Sequence, residues 1–266
     1  VNRLSIGAQS FDPESLKILG RVHGSAEIVS SFEEASNAGF ESINIDLMFA
    51  LPGQTVLAAE ADINRLISLS PEHVSWYQLT LEPNTVFHQR PPPDIPDEKL
   101  AWEIQQAGIS LLASAGYEQY EISAFARPGH RCRHNLNYWQ FGDYLGVGAG
   151  AHGKLTDIEK NVRRYQKPAN PLAYMQQVEA VEVGTALSKV DPEDLGFEFM
   201  LNALRLADGV PVSLLSERTG LEEGALTAII EVAVEDGLMD DPVSGRLRPT
   251  ADGFRLLNEL QARFLS

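Results

Sequence analysis

Apolar positions recur in two rhythms along the first 120 residues. Short apolar runs at residues 3–7, 43–47, 74–79 and 118–122 read as strands, and longer patterns near 13–19, 26–38, 56–69 and 98–115 read as helices. The period is clearest after Thr55, where Val56, Ala59, Ile63, Leu66 and Ile67 fall on one helical face. Asp12 followed by Pro13 predicts a capped helix start with proline at the first position. Gly39 and Gly116 each predict a helix end just before a strand. Strand–helix alternation at this spacing implies βαβ units and a parallel sheet, and either an open sheet or a barrel fits.

Ligand residues in such sheets lie at the carboxyl ends of the strands. That rule brings Gly7-Ala8-Gln9-Ser10, Asp46-Leu47-Met48 and Gln78-Leu79-Thr80 to one mouth, with the turn Leu51-Pro52-Gly53-Gln54 beside them. Pro91-Pro92-Pro93 reads as a stiff extended connector. A second, mainly helical unit is expected from about residue 187, dividing the chain into 1–186 and 187–266. Its order, helix, helix and then a small β-wing around Gly245–Thr250, gives a winged-helix outline. Acidic residues there outnumber basic ones more than twofold, and Glu231, Glu235 and Asp236 occupy the helix that would read DNA in such an outline. DNA binding is thereby disfavoured, and a packing or docking module is expected.

Charge changes the picture locally. The 266 residues carry a formal net charge of -16, which makes nucleic acid a poor partner. Residues 127–167, however, hold eight Lys/Arg and three Asp/Glu. This basic island suits an anionic ligand, or else pairs with acidic neighbours in the fold. A single cysteine cannot form an internal disulfide, which points to the cytosol. No signal peptide and no membrane-spanning apolar run is read, and peripheral membrane contact stays open. The chain opens on Val1 and runs directly into a strand. It therefore reads as a piece cut within a domain, with an unpaired strand edge as an aggregation liability.

The densest chemistry lies at residues 131–153. Cys132, His134, Asn135, Tyr138 and Trp139 precede a glycine run at Gly146, Gly148 and Gly150. A soft thiol, an imidazole and aromatic rings ahead of a loop open to close approach suit a large flat cofactor. Cys132 and His134 are candidate axial ligands for a metal in such a cofactor. Their side chains share a face only if the segment is extended. Tyr138 and Trp139 could stack on the cofactor's plane, and Arg127, Arg131 and Arg133 could pair with anionic groups at its edge. The bland alternative makes Cys132 a small buried hydrophobe, His134 a structural hydrogen-bonder and the rings core packing. His23, His73, His88, His130 and His152 show no metal-ligand spacing and read as structural, His152 being ambiguous beside the glycine run.

Several motifs converge on one resemblance. They are residues 2–11 (NRLSIGAQSF), 19–23 (LGRVH), 44–54 (NIDLMFALPGQ), 76–83 (WYQLTLEP) and 134–139 (HNLNYW). Together they resemble the radical S-adenosylmethionine (SAM) proteins related to oxygen-independent coproporphyrinogen III dehydrogenase. The HNxxYW run resembles that family's heme-chaperone branch, which implies that the flat ligand is heme, with Cys132 and His134 as candidate iron ligands, Tyr138 and Trp139 against the porphyrin, and Arg127, Arg131 and Arg133 at its propionates. The resemblance implies a partial six-stranded (β/α) barrel of which this chain holds the last three strands, with 118–122 beyond it. It implies that Gln9, Arg21, Asp46 and Gly148 contact SAM: Gln9 by its amide, Arg21 at the carboxylate, Asp46 at the ribose hydroxyls. The family's CxxxCxxC motif for a [4Fe–4S] cluster is not in these residues, so no cluster is expected on the chain as given. The implied function is a heme chaperone that passes heme to apo-hemoproteins. The alternative is the porphyrinogen-decarboxylating enzyme itself.

Overall fold

The computed structural model describes all residues except Asn84, 180–186 and Ser266, and leaves aside the side chains of Glu179 and Glu223. It divides into two compact units, Val1–Cys132 and Arg133–Ser266. The domain boundary expected at 186/187 adjoins residues 180–186 and so lies at the edge of what is described.

The first unit alternates as the sequence pattern requires: β1 (Arg3–Gln9), α1 (Pro13–Ile18), α2 (Ser25–Asn37), β2 (Ser42–Phe49), α3 (Val56–Leu69), β3 (His73–Gln78), α4 (Val86–Gln89), α5 (Glu98–Ser114), β4 (Glu118–Glu121) and β5 (Ala124–Ala126). Strands β1, β2 and β3 pair in parallel. Beyond β3 the sheet turns antiparallel, giving the order β1-β2-β3-β5-β4. Asp12 caps α1 by accepting from the Ser15 N–H, and Pro13 opens the helix. Gly39 and Gly116 both take left-handed φ after α2 and α5, which a Cβ would strain.

Alternation along the strands sorts the sheet into two faces. Ile45, Leu47, Val74, Trp76 and Phe125 form one core with Ile63 and Leu66 of α3 and Ile104 and Leu112 of α5. The approach of α5 is close enough that a Cβ on Gly108 would stand 1.9 Å from the Trp76 indole, so only glycine fits there. The opposite face carries Ser5, Asn44, Asp46, His73, Ser75 and Tyr77, in register across the three parallel strands. This polar face positions the first candidate site.

The second unit begins with α6 (Arg133–Trp139) and a three-stranded antiparallel sheet, β6 (His152–Thr156), β7 (Val162–Gln166) and β8 (Ser188–Lys189), with α7 (Pro171–Glu179) between β7 and β8. It continues through α8 (Leu195–Ala203), β9 (Val210–Pro211), α9 (Ser213–Thr219), α10 (Thr227–Glu235), β10 (Arg246–Leu247), α11 (Ala251–Arg255) and α12 (Leu257–Ala262). β9 and β10 form a two-stranded antiparallel pair. Phe199, Met200, Leu215, Ala233 and Leu260 are buried at its centre.

Candidate functional site

Two constellations carry chemistry, one in each unit. In the first, β1 bulges between Gly7 and Gln9. Gln9 takes φ 69°, rare for a residue with a Cβ, and is only 6% exposed. The bulge folds the Gln9 amide back over Gly7, where a Cβ would stand 2.7 Å from Nε2. Its Oε1 accepts from the Tyr77 hydroxyl at 2.7 Å. Burial raises the Tyr77 pKa and the Asp46 charge adds to this, against the opposing pull of Arg21 and the Gln9 hydrogen bond, so the phenol stays a donor. Asp46 accepts from Asn44 Nδ2 at 2.7 Å and from the Ser5 hydroxyl at 3.0 Å. Arg21 is exposed beyond α1. Buried Asp62 of α3 pins the β1 end, accepting from the Ser10 hydroxyl at 2.7 Å and the Phe11 N–H at 2.8 Å.

The structure therefore brings Gln9 and Asp46 onto one polar strand-end surface. It adds Tyr77, Asn44 and Ser5, whose roles the sequence reading missed. Their signal was the alternation itself, since Asn44/Asp46 and Ser75/Tyr77 are polar at every second position of otherwise apolar strands. The Asp46 carboxylate can accept from the hydroxyl donors of an adenosyl group, and Gln9, whose Oε1 is taken by Tyr77, offers its Nε2 as a donor to ring nitrogens. The donor set for an iron–sulfur cluster does not fit. The chain has one cysteine, Cys132, which is 8% exposed, and among the described residues no three His, Cys, Asp or Glu side chains gather as a metal site.

In the second unit the HNxxYW run is helical, not extended. The condition for Cys132 and His134 to share a face fails, because the helix starts at Arg133 and turns successive side chains about its axis. Helical spacing instead pairs His134 with Tyr138 one turn on, edge to face at 4.7 Å. Tyr138 in turn meets Tyr144 at 4.5 Å. Burial raises the Tyr138 pKa, with Tyr144 adding to it. His134 and Arg133 are exposed at the head of this aromatic ladder. Trp139 lies under the Arg205 guanidinium, 4.3 Å from its ring centroid, so one face of that indole is already covered.

The glycine run is clamped at both ends. Tyr144 and Lys154 bridge backbone to backbone at 3.0 Å, and the Gly150 N–H donates to the Pro168 carbonyl at 2.8 Å. Tyr165 lies across Gly153, where a Cβ would stand 2.0 Å from its ring, and its hydroxyl accepts from the Gly146 N–H at 2.8 Å. Gly148 has φ 102° with open space above it, a conformation reserved for glycine.

Most of the basic island is spent inside the fold. Arg164 bonds Glu198 at 2.5 Å, Arg163 lies 3.7 Å from Asp157, and Arg131 lies 3.5 Å from Glu118. Arg127 stacks on Tyr117 at 4.8 Å, and Lys160 donates to the Glu217 carbonyl at 2.7 Å. Lys154 is 2% exposed and donates to Asp143 at 2.9 Å and to the Phe141 carbonyl at 3.0 Å. Among the described residues Arg127, Lys160, Arg133 and Lys167 have no carboxylate partner, and of these Arg127 stacks on a ring and Lys160 meets a backbone carbonyl. Of the two readings of the island, pairing with acidic neighbours describes Arg131, Lys154, Arg163 and Arg164.

The HemN C-terminal domain family matches residues 190–256. The chain is 43% identical to the heme chaperone HemW of Escherichia coli K12, over all of this chain and 69% of that protein. It is 36% identical to HemW of Bacillus subtilis 168, over all of this chain and 70% of the relative. The coproporphyrinogen III oxidase HemN of Escherichia coli, a radical SAM enzyme, superposes with a TM-score of 0.75 over 99% of this chain and 64% of that one, at 24% identity; this likeness shows a shared α/β fold. No helix among the described residues is long and apolar enough to cross a membrane. With relatives this similar across its whole length, the chain belongs to the HemW heme chaperone family.

Proposed function

We propose that the protein binds heme and passes it to apo-hemoproteins in the cytoplasm, and that in its full-length form it also holds SAM and an iron–sulfur cluster. The observation that carries the heme reading is the exposed His134 at the head of the Tyr138–Tyr144 ladder. An imidazole open to solvent is a competent axial ligand, and edge-on rings below it give a porphyrin an apolar wall. Arg133 beside it and Lys167 supply cations for propionates. Cys132, buried with its N–H bonded to Tyr120, is the weaker ligand candidate.

In the first unit, the three parallel strands are read as the later part of a partial (β/α) barrel, with the polar face lining its interior. Asp46 would accept from the ribose hydroxyls and Gln9 would face the nucleoside, with its amide held by Tyr77. Arg21, extended into solvent, would reach the SAM carboxylate. SAM would supply one-electron chemistry when bound against a reduced cluster, and the residues of this chain would orient its nucleoside end. The module from about residue 187 is read as winged-helix-like and as a docking element.

The test compares two activities of the full-length protein. Heme-loaded protein should transfer heme to an apo-hemoprotein, followed by the acceptor's Soret band. The same protein supplied with SAM and reductant should leave coproporphyrinogen III unchanged. Turnover of coproporphyrinogen to the divinyl product would replace this reading with the decarboxylase.

A further inference from the structure

One unbroken run of hydrogen bonds crosses the first unit beneath Asp46. The Cys132 N–H donates to the Tyr120 hydroxyl oxygen at 3.2 Å. Tyr120 meets His73 Nε2 at 2.7 Å, and His73 Nδ1 meets Asn44 Oδ1 at 2.6 Å. The Ser75 hydroxyl also donates to Asn44 Oδ1, at 3.1 Å. Asn44 Nδ2 donates to Asp46 Oδ1 and to Ser5 Oγ, each at 2.7 Å, and Ser5 donates on to Asp46 Oδ2 at 3.0 Å.

The carboxylate end dictates the polarity, and the tyrosine end is compatible with it. A backbone N–H can only donate, so the Tyr120 oxygen accepts there and its own proton is free to go to His73 Nε2. The imidazole proton then resides on Nδ1 and faces an acceptor, Asn44 Oδ1. From the other end, a carboxylate can only accept, so Asn44 must present Nδ2 to Asp46. Were the imidazole proton on Nε2, the Asn44 amide would turn over. Its oxygen would then face the Asp46 carboxylate at 2.7 Å, and the carboxylate would be driven from its place. Burial is consistent with this order. It depresses the His73 pKa to about 3, with Arg3 adding to the effect, and lifts Tyr120 to about 12. Apart from Ser5, which is exposed, the members of the run are buried or half-buried, so water cannot readily substitute for a lost partner between Tyr120 and Asn44.

We infer that His73 and Tyr120 are positioning residues for a ribose-binding Asp46: by fixing the His73 tautomer they fix the Asn44 amide, and the amide holds the carboxylate where a nucleoside diol can donate to it. The inference rests on the reading of Asp46 as the ribose acceptor. It gives a function to a histidine that the sequence marks only as structural and to a tyrosine 47 residues away.

The test uses the full-length protein and calorimetric binding of 5′-methylthioadenosine against its 2′,3′-dideoxy counterpart. Wild type should prefer the diol, and Asp46→Ala should abolish the preference. Tyr120→Phe and His73→Leu should cut the preference about five- to tenfold, the worth of one hydrogen bond, while dideoxy affinity holds. His73→Gln, which can still donate to Asn44, should recover part of it. A purely structural role would lower both affinities together. Preference surviving in Asp46→Ala overturns the ribose reading and the inference with it. Preference lost in Asp46→Ala but kept in Tyr120→Phe and His73→Leu overturns the inference alone. Should those variants not fold, the ¹⁵N spectrum of wild type decides: an Nδ1–H tautomer for His73 supports the relay, and an Nε2–H tautomer refutes it.

Discussion

Lowering the pH from 6.5 is expected to destabilise the first unit through one imidazole. His73 is 1% exposed, and burial holds its folded pKa near 3 against 6.5 for a free imidazole. A base with a depressed folded pKa stays neutral in the native state, while the unfolded chain takes up the proton. Stability from this group is therefore complete above pH 6.5, falls with pH through the interval, and stops falling below about 3. The whole interval is worth about 4–5 kcal/mol, at about 1.4 kcal/mol per pH unit. Between pH 6.5 and 5.5 ordinary carboxylates remain largely ionised, so the histidine dominates the slope there. Urea unfolding of the first unit across that window should show the slope in wild type and lose most of it in His73→Gln. A flat wild-type profile would mean that the imidazole is protonated in the native state.

Asp143→Ala is expected to cost the second unit about 3 kcal/mol, because it strands a buried ammonium. The pair is asymmetric. Lys154 is almost wholly enclosed, whereas the Asp143 side chain is 39% exposed. Burial lowers the Lys154 pKa despite the Asp143 contact. Burial also pushes Asp143 upward, but hydrogen bonds from Lys154 and Thr156 outweigh it and hold the carboxyl below its ordinary value. The exposure of Asp143 places the loss at the low end for a broken buried pair. Lys154→Met should be nearly neutral, since the stem already lies against the Phe141 ring, with Nζ 4.2 Å from its centroid. The double variant should recover most of what Asp143→Ala loses. Denaturant midpoints of the four proteins measure this, and a loss under 0.5 kcal/mol for Asp143→Ala alone would contradict a charged, enclosed Lys154. The pair also fixes Lys154 in the bridge to Tyr144 that starts the glycine run, so the same variant should loosen that loop.

What was legible in the chain follows from local physics. Periodicity located the four long strands and helices of the first unit, and Asp12-Pro13, Gly39 and Gly116 marked their ends, because caps and left-handed turns are settled within a few residues. Strand alternation held Asn44 and Asp46 on one face. The antiparallel turn at β5 was not legible, since three residues, Ala-Phe-Ala, carry no period. Nor was the β6–β7 hairpin, whose strands place Lys154 inside and Arg163 and Arg164 in ion pairs, which inverts the usual pattern. The helix at residues 133–139 was missed as well. With it goes the shared face of Cys132 and His134, replaced by a His134–Tyr138 pair that only helical spacing creates. The Gln9 bulge and the Tyr120–His73 contact depend on partners far along the chain, which no window of sequence contains.

The central claim, that heme binds at the head of the α6 ladder, is tested most directly by titrating the full-length protein with heme and following the Soret band, wild type beside His134→Ala. Saturable stoichiometric binding is expected in wild type, and a displaced Soret maximum with weaker binding in the variant. A spectrum and affinity unchanged by His134→Ala would contradict it and move the iron ligand elsewhere.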